Sequence, residues 1–134
     1  MTVRAALERD IDAVERIYDK LHTAEENGSA VIGWRRGVYP TRATALGALS
    51  AGELFVLDDG GEVCAAGRIN RCQLPEYYMV KWQNEAPDSA VMVLHTLVVD
   101  PDRKRRGCGR AFLGQYRTKI VRVLRSQIFR QIVQ

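Results

Sequence analysis

The sequence has little of what stabilises small secreted or metal-dependent proteins. Of its 134 residues, only three are cysteines and two are histidines. Cys64, Cys72 and Cys108 form no Cys-x-x-Cys pair, so we expect neither a disulfide framework nor a metal site. A chain of this length buries roughly two thirds of its unfolded surface, so it can form a core without such links.

Long apolar runs are also missing. No segment approaches the roughly 20 apolar residues of a membrane helix, and the first residues (MTVRAALERD) contain no apolar signal core. We therefore expect a cytoplasmic protein that does not enter a membrane. With 46% hydrophobic and 27% charged residues, the composition is typical of one globular domain over residues 1–134.

Acidic residues are nearly absent from the last quarter of the chain. Residues 1–100 carry ten Lys or Arg and fifteen Asp or Glu, whereas residues 101–134 carry ten Lys or Arg and one acid, Asp102. A basic block of this kind indicates an anionic partner, such as nucleic acid, a membrane surface or a phosphorylated cofactor. The alternative interpretation is a solvated basic helix face.

Hydrophobic spacing predicts the element order β, α, α, β, β, β, α. Thr41 is a good N-cap for the second helix, and the Asp- and Gly-rich turn after residue 57 is a hairpin signal. This order is typical of an α/β sandwich, an α+β arrangement with a central, mostly antiparallel sheet. The strands are predicted at residues 2–6, 54–57, 63–69 and 90–99, and the helices at residues 10–27, 42–51 and 107–124.

The stretch after the last of these strands carries the clearest functional signal. Basic residues occupy positions 103–106, and Gly107-Cys108-Gly109 leads into the helix. Glycines let the backbone approach a ligand, and unpaired N–H groups at a helix start bind anions. The pattern is neither a Walker loop nor a GxGxxG fingerprint, because no Gly-Lys-Ser/Thr follows and Phe112 stands at the third glycine. It predicts a pyrophosphate cradle.

The same stretch resembles motif A of the GNAT acyltransferases, Gln/Arg-x-x-Gly-x-Gly/Ala. Here it reads Lys104-Arg105-Arg106-Gly107-Cys108-Gly109, with Lys104 in place of Gln or Arg. The order of the preceding elements also matches, so the resemblance covers essentially the whole chain, while only motif A is specific. The resemblance implies an N-acetyltransferase that transfers an acetyl group from acetyl-CoA to a primary amine of a small molecule or protein. The amine would attack directly, without a covalent enzyme intermediate.

The resemblance also implies roles for individual residues. The backbone of Leu97, Val98 and Val99 would pair with the pantetheine arm of acetyl-CoA, and an N–H near Leu97 would polarise the thioester carbonyl. His95, on the same strand, is a candidate general base because histidine titrates in the useful range. The alternative is a packed, hydrogen-bonded histidine. The pyrophosphate would be held by Lys104, Arg105, Arg106, Gly107, Cys108, Gly109 and Arg110.

A loop before the second helix borders the acceptor site in this family, and an arginine there would suit a carboxylate. Ordinary packing is the alternative interpretation of that loop. Cys108 is either close to the cofactor or a small apolar filler, and Glu53 is either a distant base or a surface acid. His22 is expected on a helix surface. The loop before the second helix, which would border the acceptor site, contains Trp34, Arg35, Arg36 and Tyr39.

The chain is short for this family, whose members continue with a fifth strand, another helix and a final hairpin. Residues 127–133 (QIFRQIV) favour a short fifth strand, although Ile128 and Ile132 also continue the helical stripe. Truncation or an altered reading frame is one hypothesis for this ending. An exposed sheet edge would then favour a homodimer or strand exchange.

Two other function classes stay open. One is a catalytically inactive CoA-binding or interaction module. The other is a nucleic-acid binder that uses the basic C-terminal block, where Phe112, Tyr116 and Phe129 are the candidates for stacking on bases. Steep salt dependence of binding would indicate nucleic acid, and a milder dependence would indicate CoA.

Overall fold

The computed structural model describes residues 1–70, 91–119 and 123–125. Their elements follow the predicted order, and the predicted bounds agree within two residues except at the end of the last helix. Single turns of 3-10 helix lie at Glu8–Asp10 and Pro101–Arg103. The strands are β1 (Thr2–Ala5), β2 (Leu54–Asp59), β3 (Glu62–Asn70), β4 (Val91–Val99) and β5 (Val123–Arg125), and the helices are α1 (Ile11–Glu26), α2 (Arg42–Ser50) and α3 (Cys108–Lys119).

The described strands form one sheet in the order β1-β2-β3-β4-β5. The first four pair antiparallel, and the two-residue turn Gly60-Gly61 joins β2 to β3 as a hairpin. β5 lies parallel to the first residues of β4, with Val91 opposite Val123 and Val93 opposite Arg125. The structure therefore confirms the mostly antiparallel α+β sheet.

Helices cover both faces of the sheet, and each face has its own apolar cluster. Along α1, Ile11, Val14 and Ile17 recur at helical spacing, so they form one buried stripe against Val56 and Val98 of the sheet. On the opposite face, the buried ring of Phe112 from α3 packs with β-strand side chains that alternate with the first set. Those strand side chains are Leu57, Ala65, Ile69 and Leu94.

The prediction of one helix up to residue 124 is wrong. α3 ends at Lys119, and Val123 and Leu124 belong to β5. Apolar residues at these positions suit a helical stripe and a strand equally well, and pairing with β4 decides between them. A short fifth strand is therefore present, and residues 127–133, where the sequence favours it, lie outside the described residues.

Candidate functional site

β4 carries an irregularity in its middle. Ala66 pairs with Val98 and Arg68 pairs with His95, so β4 has one residue more than β3 in this interval. The extra residue coincides with Thr96, whose φ of 52° is in the left-handed region that a β-branched residue rarely adopts. This is a β-bulge, which bends a strand and re-aims its side chains. Such bulges are common next to functional sites.

Gly67 of β3 lies opposite the bulge and allows close packing there. A Cβ built on Gly67 would lie 2.7 Å from Leu94 Cδ1 and 3.2 Å from Phe112 Cζ. The absence of a side chain thus lets α3 approach the bent part of β4. The two halves of β4 differ in pairing as well: among the described residues, β5 pairs with the first half, whereas Val98 and Val99 pair with β3 alone.

The loop after β4 leads into α3 through two left-handed residues, Arg105 with φ 63° and Gly107 with φ 76°. Ala111 donates the first helical hydrogen bond, to the Gly107 carbonyl at 2.8 Å. The N–H groups of the three residues between them therefore have no acceptor within the helix. Such N–H groups, with the helix dipole, bind anions.

Ion pairs hold the first part of this loop against the rest of the molecule. The Asp100 carboxylate accepts from the backbone N–H of Asp102 at 3.0 Å and from Lys20 Nζ of α1 at 3.1 Å. Arg103 donates to Asp59 at 2.8 Å and also to Glu62, both beside the β2–β3 turn. These contacts fix where the loop leaves the sheet.

The basic side chains that follow have no such partners. In the parts of the chain that the structure describes, Lys104, Arg105, Arg106 and Arg110 are exposed and form no ion pair. Lysine and arginine side chains at a helix N-terminus strengthen its attraction for an anion. The structure thus brings four predicted cradle cations next to the first N–H groups of α3, which have no acceptor within the helix.

Two other predicted cradle residues contribute differently. Cys108 is only 3% exposed and its side chain packs into the cluster beneath α3, so only its backbone can serve a ligand. A Cβ on Gly109 would lie 3.8 Å from Val99 Cγ2, an ordinary contact. Burial and the neighbouring Cys108 raise the pKa of the Cys64 thiol to about 11, which keeps it protonated.

The loop before α2 lies over the bulge. The Tyr39 hydroxyl hydrogen-bonds to Thr96 Oγ1. Trp34 packs edge-to-face on Tyr39 with ring centroids 5.8 Å apart, and Arg35 pairs with Tyr39 through an isolated β-bridge. Arg36 instead anchors the loop, because its guanidinium pairs with two acids of α1. Of the two arginines, only Arg36 forms ion pairs within the described residues, and Arg35 is exposed.

His95 belongs to a polar network on this same face of the sheet. Its Nε2 lies 2.8 Å from Asn70 Oδ1, and Asn70 Nδ2 donates to Glu53 Oε2 at 3.1 Å. Arg68 Nε also donates to Glu53, at 2.5 Å. Hydrogen bonds from Asn70 and Arg68 lower the pKa of Glu53, so its carboxylate is ionised at neutral pH. Sequence reasoning missed Asn70 and Arg68, although residues 68 and 70 must share a face of a strand.

His22 is not a surface residue, contrary to the sequence expectation. Its side chain is buried, and Nε2 lies 2.9 Å from the Pro40 carbonyl oxygen. The spacing of Tyr18 and His22 on α1 shows why, since residues four apart lie on the same helix face. His22 therefore links α1 to the segment before α2 and plays no part in the site at β4.

A cavity of about 580 Å³ lies elsewhere, between α1 and the β2–β3 turn. Several of its charged groups neutralise one another: Arg4 pairs with Asp10 and Asp58, and Arg103 pairs with Glu62.

Among the described residues, no three or more His, Cys, Asp or Glu side chains are placed to hold a metal ion. Within that same part of the chain, no helix is long and apolar enough to span a membrane.

Comparison with solved structures shows the GNAT fold. A GNAT-family acetyltransferase from Streptococcus agalactiae is similar with a TM-score of 0.72 and 17% identity, over 87% of this chain and 68% of that chain. The ribosomal-protein-S18-alanine N-acetyltransferase from Escherichia coli is similar with a TM-score of 0.55 and 17% identity, over 88% of this chain and 57% of that chain.

A GNAT-like decarboxylase in complex with isobutyryl-CoA has the same fold, with a TM-score of 0.58 and 20% identity, over 85% of this chain and 56% of that chain. The chain thus spans little more than half the length of two of these proteins. No protein-family model and no curated protein matches the sequence. At these identities the similarity establishes the fold, and the chemistry has to be argued from the site.

Proposed function

We propose that this protein is an N-acyltransferase that binds acetyl-CoA between β4 and the start of α3 and transfers the acetyl group to a primary amine. The observation that carries the proposal is the juxtaposition at residues 104–110. Four exposed basic side chains without ion pairs in the described residues adjoin helix N–H groups that have no intrahelical acceptor. This is the chemistry that holds a pyrophosphate.

The bent half of β4 supplies the second part of the proposed site. In the described residues, Val98 and Val99 pair with β3 on one side, and Leu97–Val99 pairs with no strand on the other. Free backbone N–H and C=O groups on such an edge can pair with an extended amide chain. The pantetheine arm of CoA contains two amides and suits this edge, and an N–H near Leu97 would then polarise the thioester carbonyl.

The proposed reaction needs a proton acceptor. At neutral pH an alkylamine with a pKa near 10 is mainly protonated, so it must lose a proton before its lone pair attacks the thioester carbonyl. As the C–N bond forms and the C–S bond breaks, the nitrogen loses a second proton, which the departing CoA thiolate takes up, and the first proton passes from its acceptor to solvent. We assign the proton acceptance to His95, on the face of the sheet where Tyr39, Trp34 and Arg35 border the acceptor side.

Release of the CoA thiol with a panel of primary amines tests this function. Acetyl-CoA with an amine should release thiol faster than acetyl-CoA alone, and a G107V/G109V variant should lose the difference, because side chains would fill the cradle. Gly61 has φ 95° in the β2–β3 turn, so G61V is a control with similar backbone strain that should keep the activity. Activity unchanged in the G107V/G109V variant would refute the proposed site.

The assay must separate binding from transfer, because a decarboxylase shares this fold. Acetyl-CoA binding without thiol release for any amine would indicate a CoA-binding module instead of an acetyltransferase. The homodimer expected from the sequence stays a prediction, and the mass from light scattering decides it.

A further inference from the structure

Three side chains from three successive strands form a directional chain of hydrogen bonds. Glu53 immediately precedes β2, Asn70 ends β3 and His95 lies in β4 beside the bulge. Asn70 spans the other two, with its Nδ2 at 3.1 Å from Glu53 and its Oδ1 at 2.8 Å from His95 Nε2. All three are partly buried, which strengthens their electrostatic coupling.

The donors and acceptors of this chain have one consistent arrangement. An ionised carboxylate only accepts hydrogen bonds, so the amide NH2 of Asn70 must face Glu53. The amide oxygen of Asn70 then faces His95 and also only accepts, so His95 Nε2 must carry a hydrogen. In a neutral imidazole with hydrogen on Nε2, the lone pair is on Nδ1.

We infer that Asn70, oriented by Glu53, is a positioning residue that holds His95 as the Nε2–H tautomer and thereby makes Nδ1 the atom that accepts the proton of the incoming amine. This inference rests on the proposed function and deepens it. When the proton arrives, both ring nitrogens become donors and the Nε2–H bond to Asn70 is kept. The Glu53 charge, relayed through the amide, stabilises the imidazolium.

The other described groups around His95 are consistent with this role. Arg68 is directly opposite His95 in the sheet, and its guanidinium is held by the Glu53 carboxylate. The positive charge of a protonated His95 also lowers the pKa of Glu53. From the loop before α2, Tyr39 contacts Thr96, the residue next to His95.

Nitrogen-15 NMR of the histidine rings in the full chain, without CoA, reads the tautomer directly. The chain has two histidines, and H95Q assigns the signals. His22 is an internal standard, because its Nε2 faces a carbonyl oxygen that only accepts, so it must also be an Nε2–H tautomer. We expect neutral wild-type His95 to be almost entirely Nε2–H. We expect N70A to populate the Nδ1–H form of His95 several-fold more, with His22 unchanged.

Two further variants keep the test decisive if N70A does not fold. N70D replaces the amide oxygen by a charged acceptor, so the midpoint of the His95 ring titration should move to higher pH. E53Q removes the charge behind the amide, so this midpoint should move to lower pH. A wild-type His95 in the Nδ1–H form, or the same titration in all variants, would overturn the inference.

Failure of this inference can be distinguished from failure of the proposed function. Acetyl-CoA binding with the wrong His95 tautomer would overturn the role of Asn70 and leave the transferase proposal intact. The expected tautomer in a folded protein that does not bind acetyl-CoA would overturn the transferase proposal, and with it the catalytic meaning of the network.

Discussion

The two halves of the segment after β4 differ in how their charges are used. In the first half, Asp100–Arg103, each acid or base has a partner on another element or within the loop. In the second half, residues 104–110, four basic side chains form no ion pair in the described residues, and two residues adopt positive φ. The boundary falls between Arg103 and Lys104, two neighbours of the same charge.

This contrast separates charges that position the loop from charges that are free to bind. Exposed ion pairs contribute at most about 1 kcal/mol each to stability, so the first half serves mainly to fix geometry. Left-handed backbone and unpaired like charges cost stability, and a fold keeps them where a ligand compensates. The second half therefore has the properties that the proposed binding of an anionic ligand requires.

The largest effect should come from removing charge in the second half. R105Q/R106Q should weaken acetyl-CoA binding about 100-fold, or about 2.7 kcal/mol, because two charge-assisted phosphate contacts are lost. The control R9Q/R16Q removes two arginines that also form no ion pair in the described residues, but on or beside α1. Titration calorimetry of both variants measures the difference. Equal weakening in both would show that net charge alone matters.

The ion pair between Arg4 and Asp10 is more buried than the ion pairs of Asp100–Arg103, so breaking it should affect stability more. Asp10 is almost fully buried, accepts from Arg4 at 2.7 Å and from the Leu7 N–H at 2.7 Å, and Arg4 is 26% exposed. D10N should lower the free energy of unfolding at pH 7 by about 2 kcal/mol, less than for a fully buried pair, because Arg4 keeps some water and Asp58. Urea unfolding measures this loss.

The same pair predicts a pH dependence. The hydrogen bond from Arg4 lowers the pKa of Asp10 in the folded state. Its stabilisation is therefore complete above the unfolded value of about 3.9 and is lost as pH falls through the lower folded value. Wild-type stability should fall more steeply than that of D10N below about pH 4. Parallel acid limbs for the two proteins would contradict this.

Backbone conformation in the second half should matter next. G107A forces a Cβ onto a residue with φ 76°, which costs about 1 kcal/mol of stability. It should also weaken acetyl-CoA binding about tenfold by shifting the N–H groups of α3. G61A, with φ 95° in the β2–β3 turn, should cost similar stability and leave binding unchanged. Thermal unfolding and calorimetry together distinguish the two.

The smallest effect is expected from the paired half itself. R103Q breaks the contacts to Asp59 and Glu62, which hold the loop to the β2–β3 turn. Because this residue positions the cradle, acetyl-CoA binding should weaken only about threefold, with stability within about 1 kcal/mol of wild type. A loss as large as that of R105Q/R106Q would erase the distinction between the halves.

Local signals in the sequence predicted most of the fold. The stripe of Ile11, Val14 and Ile17 and the turn between β2 and β3 are short-range patterns, and both elements formed where expected. The predicted end of α3 is wrong because Val123 and Leu124 suit a helix and a strand equally well. The β4 residues with which they pair lie about 30 positions earlier in the chain. Propensity does not contain such a contact.

The sequence likewise predicted only those features of the candidate site that are contiguous along the chain. The Gly107 turn and the basic loop are contiguous in sequence, so they could be recognised. The bulge at Thr96 and the link from His95 to Asn70 depend on the register between strands, which a single sequence does not specify residue by residue. The partners of Arg103 on the β2–β3 turn could not be predicted either, because they lie more than 40 residues earlier in the chain.

Calorimetric titration of the full chain with acetyl-CoA tests the central claim most directly. If the second half of the loop and the free edge of β4 form a CoA site, acetyl-CoA should bind with a Kd in the micromolar range, between about 1 and 100 µM. No heat of binding at millimolar acetyl-CoA, from a protein whose circular dichroism shows it folded, would contradict the account.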